Sequence, residues 1–213
     1  MHLKRQKSPR RWPITRKGTK YLVVPSHQKR SGVPLLLVLR DMLKLGSTRK
    51  ELKKIMNEGQ VFLNCKIIKN EKHPVLLFDT ISFKNGMSYQ LNYSDKRKFL
   101  LKEIKNEEQN KKIVKLIGKR ILKGNKIQLN FNDGRSLLSR EDLKVGNSVL
   151  LDLISNKILK KIELKDNSDI IVIGGKHMGK TGKIEKIIEE RSMATIILKD
   201  KKINVNLNNL IAV

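Results

Sequence analysis

The sequence is poor in cysteine, in aromatic residues and in long apolar runs. Its single cysteine, Cys65, excludes an internal disulfide and a cysteine-rich zinc site. Aromatic residues make up only 4% of the chain, which argues against a protein that binds single strands mainly by stacking bases on rings. No apolar run reaches the roughly 20 residues that a membrane-spanning helix needs. We therefore expect no membrane partner.

The sequence also lacks the residue groups that carry catalysis. The four histidines show no metal-ligand spacing, and residues 84–166 contain no paired carboxylates, Ser/His/Asp set or Cys/His pair. No apolar segment follows the basic N-terminus, so a signal peptide is not expected. These absences predict a cytoplasmic protein that is not an enzyme, with no catalytic residues, no metal and no cofactor.

Positive charge is what the sequence has in excess. Lysine and arginine number 47 against 20 acidic residues, which gives a formal net charge of +27 and a pI near 10.3. Self-repulsion of this size is costly unless a polyanion neutralises it, so the predicted partner is nucleic acid. Since rings are scarce, contacts to the backbone and to folded RNA shape are favoured over base stacking.

Residues 1–33 form a predicted basic arm. They carry ten basic residues and no acidic one, and Pro9, Pro13 and Pro25 prevent a continuous helix. We expect this arm to be flexible alone and to become ordered on RNA. Trp12 either stacks on a base or packs onto the first domain. The RNA contacts predicted in the arm are Arg5, Lys7, Arg10, Arg11 and Trp12.

Residues 34–83 predict two helices followed by a hairpin. Pro34 opens the first helix, whose apolar face is formed by Leu35, Leu36, Leu39, Met42 and Leu43, and Gly46 ends it. Thr48 and Glu51 form a capping box for the second helix, which Gly59 terminates. The hairpin pairs residues 61–63 with 66–68 and turns at Asn64-Cys65, where a left-handed cysteine would be strained.

The two helices place a dense set of cations outside their apolar stripes. Such a surface can bind phosphates, and its predicted members are Arg40, Lys44, Arg49, Lys50, Lys53 and Lys54. Together with the ending NEGQVFLN, this order of elements resembles the S4 RNA-binding domain, a module of ribosomal proteins and RNA-modifying enzymes. A merely solvated helix face is the alternative.

Residues 84–166 predict a small antiparallel β domain. Alternating apolar residues such as Ile127, Leu129 and Phe131 are broken repeatedly by turn sequences, and Asp133-Gly134 is a strong hairpin signal. We find no candidate catalytic group in this region.

Residues 169–213 contain the stretch GGKHMGKTG, which matches the Walker A pattern from Gly174 to Thr181. A P-loop needs a helix after its lysine and threonine, but Gly182 interrupts that helix and only 32 residues follow Thr181. The same letters resemble the KOW motif, a loop between strands of a small β barrel. Its predicted phosphate contacts are Lys176, His177, Lys180 and Lys183, and a purely structural glycine loop is the alternative.

Taken in order, a basic arm, an S4 module, a central β domain and a terminal KOW barrel predict an α+β multidomain chain. The succession resembles the S4e family of small-subunit ribosomal proteins over nearly the whole chain. Because the sequence stops at Val213, whereas eukaryotic members run on, the archaeal form is the closer match. The resemblance implies a structural constituent of the small ribosomal subunit that binds and stabilises ribosomal RNA and supports translation.

The partners that this resemblance implies are small-subunit ribosomal RNA and neighbouring small-subunit proteins, with no homo-oligomer. Two alternatives are an RNA-modifying enzyme carrying an S4 domain and a KOW-bearing transcription or translation factor. Residues 84–166 show no catalytic motif of the modifying enzymes, which weighs against the first alternative.

Overall fold

β-Strands dominate the computed structural model, which describes residues 3–124, 126–139, 142–188, 192–198 and 201–213. Helix is confined to short segments of the first 60 residues and to a few single turns. The α+β class predicted from the sequence therefore holds only in the coarse sense of a mostly β protein with few helices. The chain divides into two compact units, Met1–Asn110 and Lys111–Val213.

The first helical segment of unit one is shorter and more irregular than its sequence predicts. Helix α1 spans Leu35–Leu37 and continues into a wide turn, Val38–Met42, in which Leu43 N donates to Val38 O over 3.0 Å. The apolar residues of α1 and the first two of the turn are at most 1% exposed, so this segment is buried on all sides rather than along one stripe. Lys44 then adopts a φ of +55°, which ends the segment before Gly46, where the sequence predicts the end.

The second helix, α2, spans Arg49–Asn57 and follows its sequence prediction closely. Thr48 Oγ1 accepts a hydrogen bond from Glu51 N at 3.3 Å, and Glu51 Oε2 accepts one from Thr48 N at the same distance. The predicted capping box is thus confirmed, and the bond with Thr48 lowers the pKa of the Glu51 carboxyl. Leu52 and Met56 are fully buried on the inner face of the helix.

The strands of unit one form one five-stranded antiparallel sheet and two small pairs. The sheet has the order β5-β4-β7-β8-β9, while β3 pairs with β6 and β1 with β2. The strands are β1 (Leu3–Lys4), β2 (Tyr21–Leu22), β3 (Val33–Pro34), β4 (Val61–Leu63), β5 (Lys66–Ile67), β6 (Pro74–Val75), β7 (Thr80–Phe83), β8 (Ser88–Tyr93) and β9 (Phe99–Glu103).

This sheet continues across the position where the sequence suggests a domain boundary. Strand β7 ends at Phe83, and its residues Thr80, Ile81 and Ser82 pair with Gln90, Tyr89 and Ser88 of β8. A boundary after Phe83 would therefore cut a hydrogen-bonded hairpin. The turn Asn85-Gly86, which the sequence places at the start of a new domain, is the hairpin turn within this sheet, with Gly86 at a φ of +83°.

The basic arm is part of the core of unit one. Trp12 is 3% exposed and Leu22 is 7% exposed, and both belong to the same apolar cluster as α1, α2 and β8. The indole Nε1 of Trp12 donates to Gly32 O over 3.2 Å, and Phe99 N donates to Arg11 O over 2.9 Å. The structure thus differs from the flexible arm expected from the prolines and the charge, because a few apolar residues of the arm pack on the module.

Unit two begins with a second five-stranded antiparallel sheet of order β12-β11-β10-β13-β14. Val114, Leu129, Phe131 and Val149 form its buried cluster, as the alternation in the sequence predicts. The strands are β10 (Lys111–Leu122), β11 (Lys126–Phe131), β12 (Ser136–Ser139), β13 (Ser148–Asp152) and β14 (Ile158–Ile162).

The last sheet has the order β18-β17-β16-β15-β19 and surrounds its own apolar cluster, which includes Ile170, Ile184 and Ile196. A buried lysine joins this sheet to the preceding one: Lys115 Nζ donates to Leu207 O at 2.6 Å and to Leu210 O at 2.7 Å. The strands are β15 (Asp169–Val172), β16 (Thr181–Ile188), β17 (Met193–Leu198), β18 (Lys201–Asn206) and β19 (Leu210–Ala212).

Candidate nucleic-acid interface

Helix α2 presents a row of exposed lysines on the side opposite its buried residues. Lys50, Lys53 and Lys54 are all exposed and follow the i, i+3, i+4 spacing of neighbours on one helix face. No ion pair engages any of the three within the described ranges of the chain. Because Leu52 and Met56 bury the other face, these lysines point into solvent, where phosphates can reach them.

The arginine at the start of this helix has a different role from the lysines. The Arg49 guanidinium forms a two-pronged ion pair with Glu71, in which Nε lies 2.7 Å from Oε2 and a terminal nitrogen binds Oε1. The Arg49 side chain is 60% exposed, whereas that of Glu71 is 10% exposed. The bond from Arg49 lowers the pKa of the Glu71 carboxyl below its usual range, with Lys53 and Lys72 contributing from nearby. Arg49 therefore anchors α2 to the turn before β6.

Arg40 is also engaged by a carboxylate. Its Nε lies 3.1 Å from Asp41 Oδ1, and its Nη2 lies 3.1 Å from Asp41 Oδ2. The side chain of Arg40 is 24% exposed, while Lys44 beyond it is exposed. Of the six cations predicted on this module, the structure thus leaves Lys44, Lys50, Lys53 and Lys54 unpaired among the described residues, and commits the two arginines to carboxylates.

The arm divides its cations in the same way. Arg5 donates to Thr15 O and Thr19 O, each over 2.8 Å, and so holds the loop between β1 and β2 in shape. Arg11 lies against the Tyr93 hydroxyl. Lys7 and Arg10 are exposed and remain candidates for RNA contact. Trp12 takes the packing role rather than the stacking role, because its ring is buried and cannot receive a base.

The glycine-rich segment is a tight loop between β15 and β16. Val172 N donates to Lys180 O at 3.0 Å and Gly179 N donates to Val172 O at 2.8 Å, which closes the loop as a hairpin. Asn209 holds the start of the loop in place, since Ile173 N donates to Asn209 O at 2.7 Å. A Cβ on Gly174 would lie 2.6 Å from Asn209 Oδ1, so a larger residue here would displace the Asn209 side chain.

The structure excludes a P-loop here, because Thr181 begins a strand and not a helix. Gly182 lies within that strand, where a Cβ would collide with the backbone oxygen of Ile197 on β17. The glycines therefore serve close strand packing, as expected for a KOW loop. Lys176 and Lys183 are exposed, whereas His177 and Lys180 are half-buried. The four predicted contacts thus lie on one loop and the start of the strand after it.

Among the buried charged residues that the sequence does not reveal, Glu71 and Lys115 bind partners far away in the chain. Glu71 is 8% exposed and Lys115 is 5% exposed. Burial lowers the pKa of Lys115 to about 8. Neither residue has a local signal, since their partners lie 22 and 92 to 95 positions away in the sequence. Over the described part of the chain, no helix is long and apolar enough to cross a membrane.

Comparison with protein families identifies two segments of the chain. The model described as Ribosomal family S4e matches residues 85–158, and the KOW motif model matches residues 168–199. The second match confirms the KOW motif predicted from the glycine spacing. Together with the strand-rich fold and the exposed lysines, the two matches define a basic β-rich protein of the ribosomal class.

Curated relatives extend the similarity over most of the chain. The small ribosomal subunit protein eS4 of Methanocella arvoryzae is 38% identical over 197 residues, which cover 91% of this chain and 83% of that protein. The eS4 protein of Methanothermobacter thermautotrophicus is 37% identical over 195 residues, covering 90% and 81%. The crystal structure of the 30S ribosomal protein S4e from Thermoplasma acidophilum superposes with a TM-score of 0.75 at 28% identity, covering 87% of this chain and 96% of that one.

These similarities show that the chain belongs to the S4e (eS4) family of small ribosomal subunit proteins. The family consists of structural ribosomal proteins and not of enzymes. The resemblance stated from the sequence is therefore confirmed, and the RNA-modifying alternative is not favoured.

Proposed function

We propose that this chain is a structural constituent of the cytoplasmic small ribosomal subunit, where it binds and stabilises ribosomal RNA and supports translation. Its membership of the S4e family supports this function. The observation that carries the RNA contact is the row of unpaired lysines on α2. Neighbouring small-subunit proteins are further partners in the proposal, while homo-oligomers and membranes have no part in it.

The proposed interface has a main surface and two smaller ones. The main surface, the α2 lysine row, consists of Lys50, Lys53 and Lys54, with Lys44 beside it. The KOW loop adds Lys176, His177, Lys180 and Lys183, and the arm adds Lys7 and Arg10. Arg5 and Arg49 support these surfaces by tying neighbouring segments of the chain together, while Arg40 and Arg11 are engaged by Asp41 and Tyr93.

We also propose a functional division of the chain. An arm of residues 1–33 precedes an S4 module that begins at residue 34, and a KOW region of residues 169–213 follows the central β region. The pairing of β7 with β8 and of β8 with β9 supports extending the module to Glu103 rather than ending it at residue 83.

Salt dependence of RNA binding tests the main surface. If each of the three lysines of the α2 lysine row neutralises one phosphate, replacing all three with alanine should flatten the slope of log affinity against log salt by about 2 to 3. The measurement is a titration of small-subunit ribosomal RNA with wild type and with Lys50→Ala/Lys53→Ala/Lys54→Ala at several salt concentrations. Circular dichroism should show an unchanged fold, because the three side chains are exposed.

The matched control is Lys84→Ala/Lys96→Ala/Lys98→Ala, which removes the same charge from exposed positions in the turns around β8. We expect this variant to keep most of the wild-type slope. Equal losses in the two variants would mean that net charge alone holds the RNA, and the α2 lysine row would lose its special role.

A further inference from the structure

The hairpin of β10 and β11 extends beyond the sheet to which it belongs. The first part of β10, Lys111–Lys115, pairs with β13, whereas the part after Leu116 pairs with β11. The register shifts between Leu116 and Gly118, and such bulges bend a strand and increase its twist. Strand β12 accompanies β11 only from Ile127 onward. Strand β12 therefore reaches the row of Ile121 and Ile127, and among the described residues no strand lies beside residues 122–124 and Lys126 at the end of the hairpin.

This end of the hairpin lies in open space. Ile121 is 75% exposed, more than any other large apolar side chain among the described residues. Added Cβ atoms on Gly118 and Gly124 would meet no atom within 4 Å. Ile121 thus stands on an exposed end of the hairpin, from which Lys119 binds Asp142. Residue 125 lies outside the described residues.

The tip is also cationic. Residues 119–126 contain four basic residues and no acidic one, in the sequence KRILKGNK. Lys119 Nζ lies 2.6 Å from Asp142 Oδ1, but Arg120, Lys123 and Lys126 form no ion pair within the part of the chain that the structure describes. A projecting tip thus combines unneutralised cations with one exposed apolar side chain.

We propose that this tip, residues 119–124 and Lys126, is a finger that inserts into folded RNA, an inference that rests on the proposed ribosomal function. Arg120, Lys123 and Lys126 bind phosphates, and Ile121 packs on the sugars of the wide, shallow minor groove of an A-form helix or on an unstacked base. RNA fits better than a protein surface because the cations are dense and lack acidic neighbours, while a single isoleucine gives little area for a protein interface.

Two variants separate the charge from the apolar contact. Arg120→Ala/Lys123→Ala/Lys126→Ala should flatten the salt slope of binding to small-subunit ribosomal RNA by about 2 to 3. Ile121→Ser should weaken the affinity roughly fivefold to thirtyfold, which corresponds to the partial burial of one large aliphatic side chain, and should leave the slope unchanged. If the triple variant does not fold, Lys123→Ala alone should flatten the slope by about 1.

The control Lys157→Ala/Lys160→Ala/Lys161→Ala removes the same charge from β14 and the turn before it, all at exposed positions. It should keep the wild-type slope. Equal loss in both triple variants would overturn the finger, because net charge would then suffice. The finger would also be overturned if its triple variant binds RNA as the wild type does while Lys50→Ala/Lys53→Ala/Lys54→Ala binds RNA more weakly. That result would leave the proposed function intact.

Failure of the wild-type protein to bind the RNA would instead contradict the proposed function itself. If the finger variant binds bare ribosomal RNA as the wild type does but fails to enter reconstituted small subunits, the tip contacts a neighbouring protein. That result also overturns the inference of an RNA-inserting finger.

Discussion

The two units use positive charge to hold their folds in different ways. In unit one the structural cations are arginines with partly exposed heads, such as Arg49 on Glu71 and Arg5 on two loop carbonyls. Unit two adds buried lysines, namely Lys112 on Asp133, which the partly exposed Arg135 also contacts, and Lys115 on the carbonyls of Leu207 and Leu210. An exposed guanidinium can return to water when its partner is lost, but a buried ammonium cannot. Loss of a partner should therefore cost more in unit two.

The largest effect should follow from Asp133→Asn. The side chains of Lys112 and Asp133 are 2% and 4% exposed, and Nζ lies 2.9 Å from Oδ2. Asparagine keeps the size and the acceptor oxygen but leaves a buried ammonium facing a neutral amide, so we expect a loss of about 3 to 5 kcal/mol in the free energy of unfolding. Denaturant unfolding measures the change. The double variant Asp133→Asn/Lys112→Met should recover a large part of it.

Glu71→Gln provides the comparison in unit one. Because the Arg49 side chain is 60% exposed, its guanidinium can rehydrate, and the same measurement should give a loss of only about 1 kcal/mol. Equal losses in the two units would break the comparison, since exposure of the cation would then not determine the cost.

The pH dependence of Lys115 should give an intermediate effect. Burial lowers the pKa of Lys115 to about 8 from its ordinary value of 10.5. Between these two pH values the unfolded chain holds a proton that the folded chain has released, so stability rises with pH across this window, by roughly 3 kcal/mol at most. The neutral amine keeps two N–H groups, enough for both carbonyls.

Comparison with Lys115→Met isolates this contribution from the titration of the other lysines. The difference in unfolding free energy between wild type and Lys115→Met should grow in favour of wild type from pH 8 to pH 10. A difference that does not change with pH would show that the Lys115 ammonium stays protonated between the two carbonyls.

An effect as small as that of Glu71→Gln concerns two hairpin turns, one in each unit. In unit two the turn places Gly134 at a φ of +85°, but in unit one Asn64 and Cys65 have φ values of +51° and +64°. Left-handed backbone strains cysteine and not glycine. Cys65→Gly should therefore raise the melting temperature, with a gain of about 1 kcal/mol. Gly134→Ala should act in the opposite direction, and a destabilised Cys65→Gly would show that the thiol contact with Asn110 outweighs the strain.

Features that depend on neighbouring residues could be predicted from the sequence. The capping box needs only Thr48 and Glu51, three positions apart, and its hydrogen bonds form as expected. The glycine spacing that favours a KOW loop over a P-loop is also local, and the strand that starts at Thr181 agrees with it. The strained Asn64-Cys65 turn follows from the same kind of information.

Features that depend on distant residues could not be predicted. The ion pair of Arg49 with Glu71 joins residues 22 positions apart. Because no local pattern links the two, Arg49 is predicted from the sequence as a free cation of the interface. The boundary at Phe83 failed because strand pairing decides which segments share a sheet, and a turn sequence does not show on which side of a boundary it lies. The sequence left two roles open for Trp12 for the same reason, since its partner Gly32, which favours the packing role, lies 20 positions away.

The anchored arm changes the thermodynamics expected for RNA binding. A segment that folds only on its target must lose conformational entropy at that moment, and this loss weakens the affinity. Here Trp12 and Leu22 already fix the backbone around Lys7 and Arg10 within the folded unit. These two cations therefore meet the RNA in a preorganised arrangement. The arm then adds affinity without a disorder-to-order transition, and its docking should give only a small change in heat capacity.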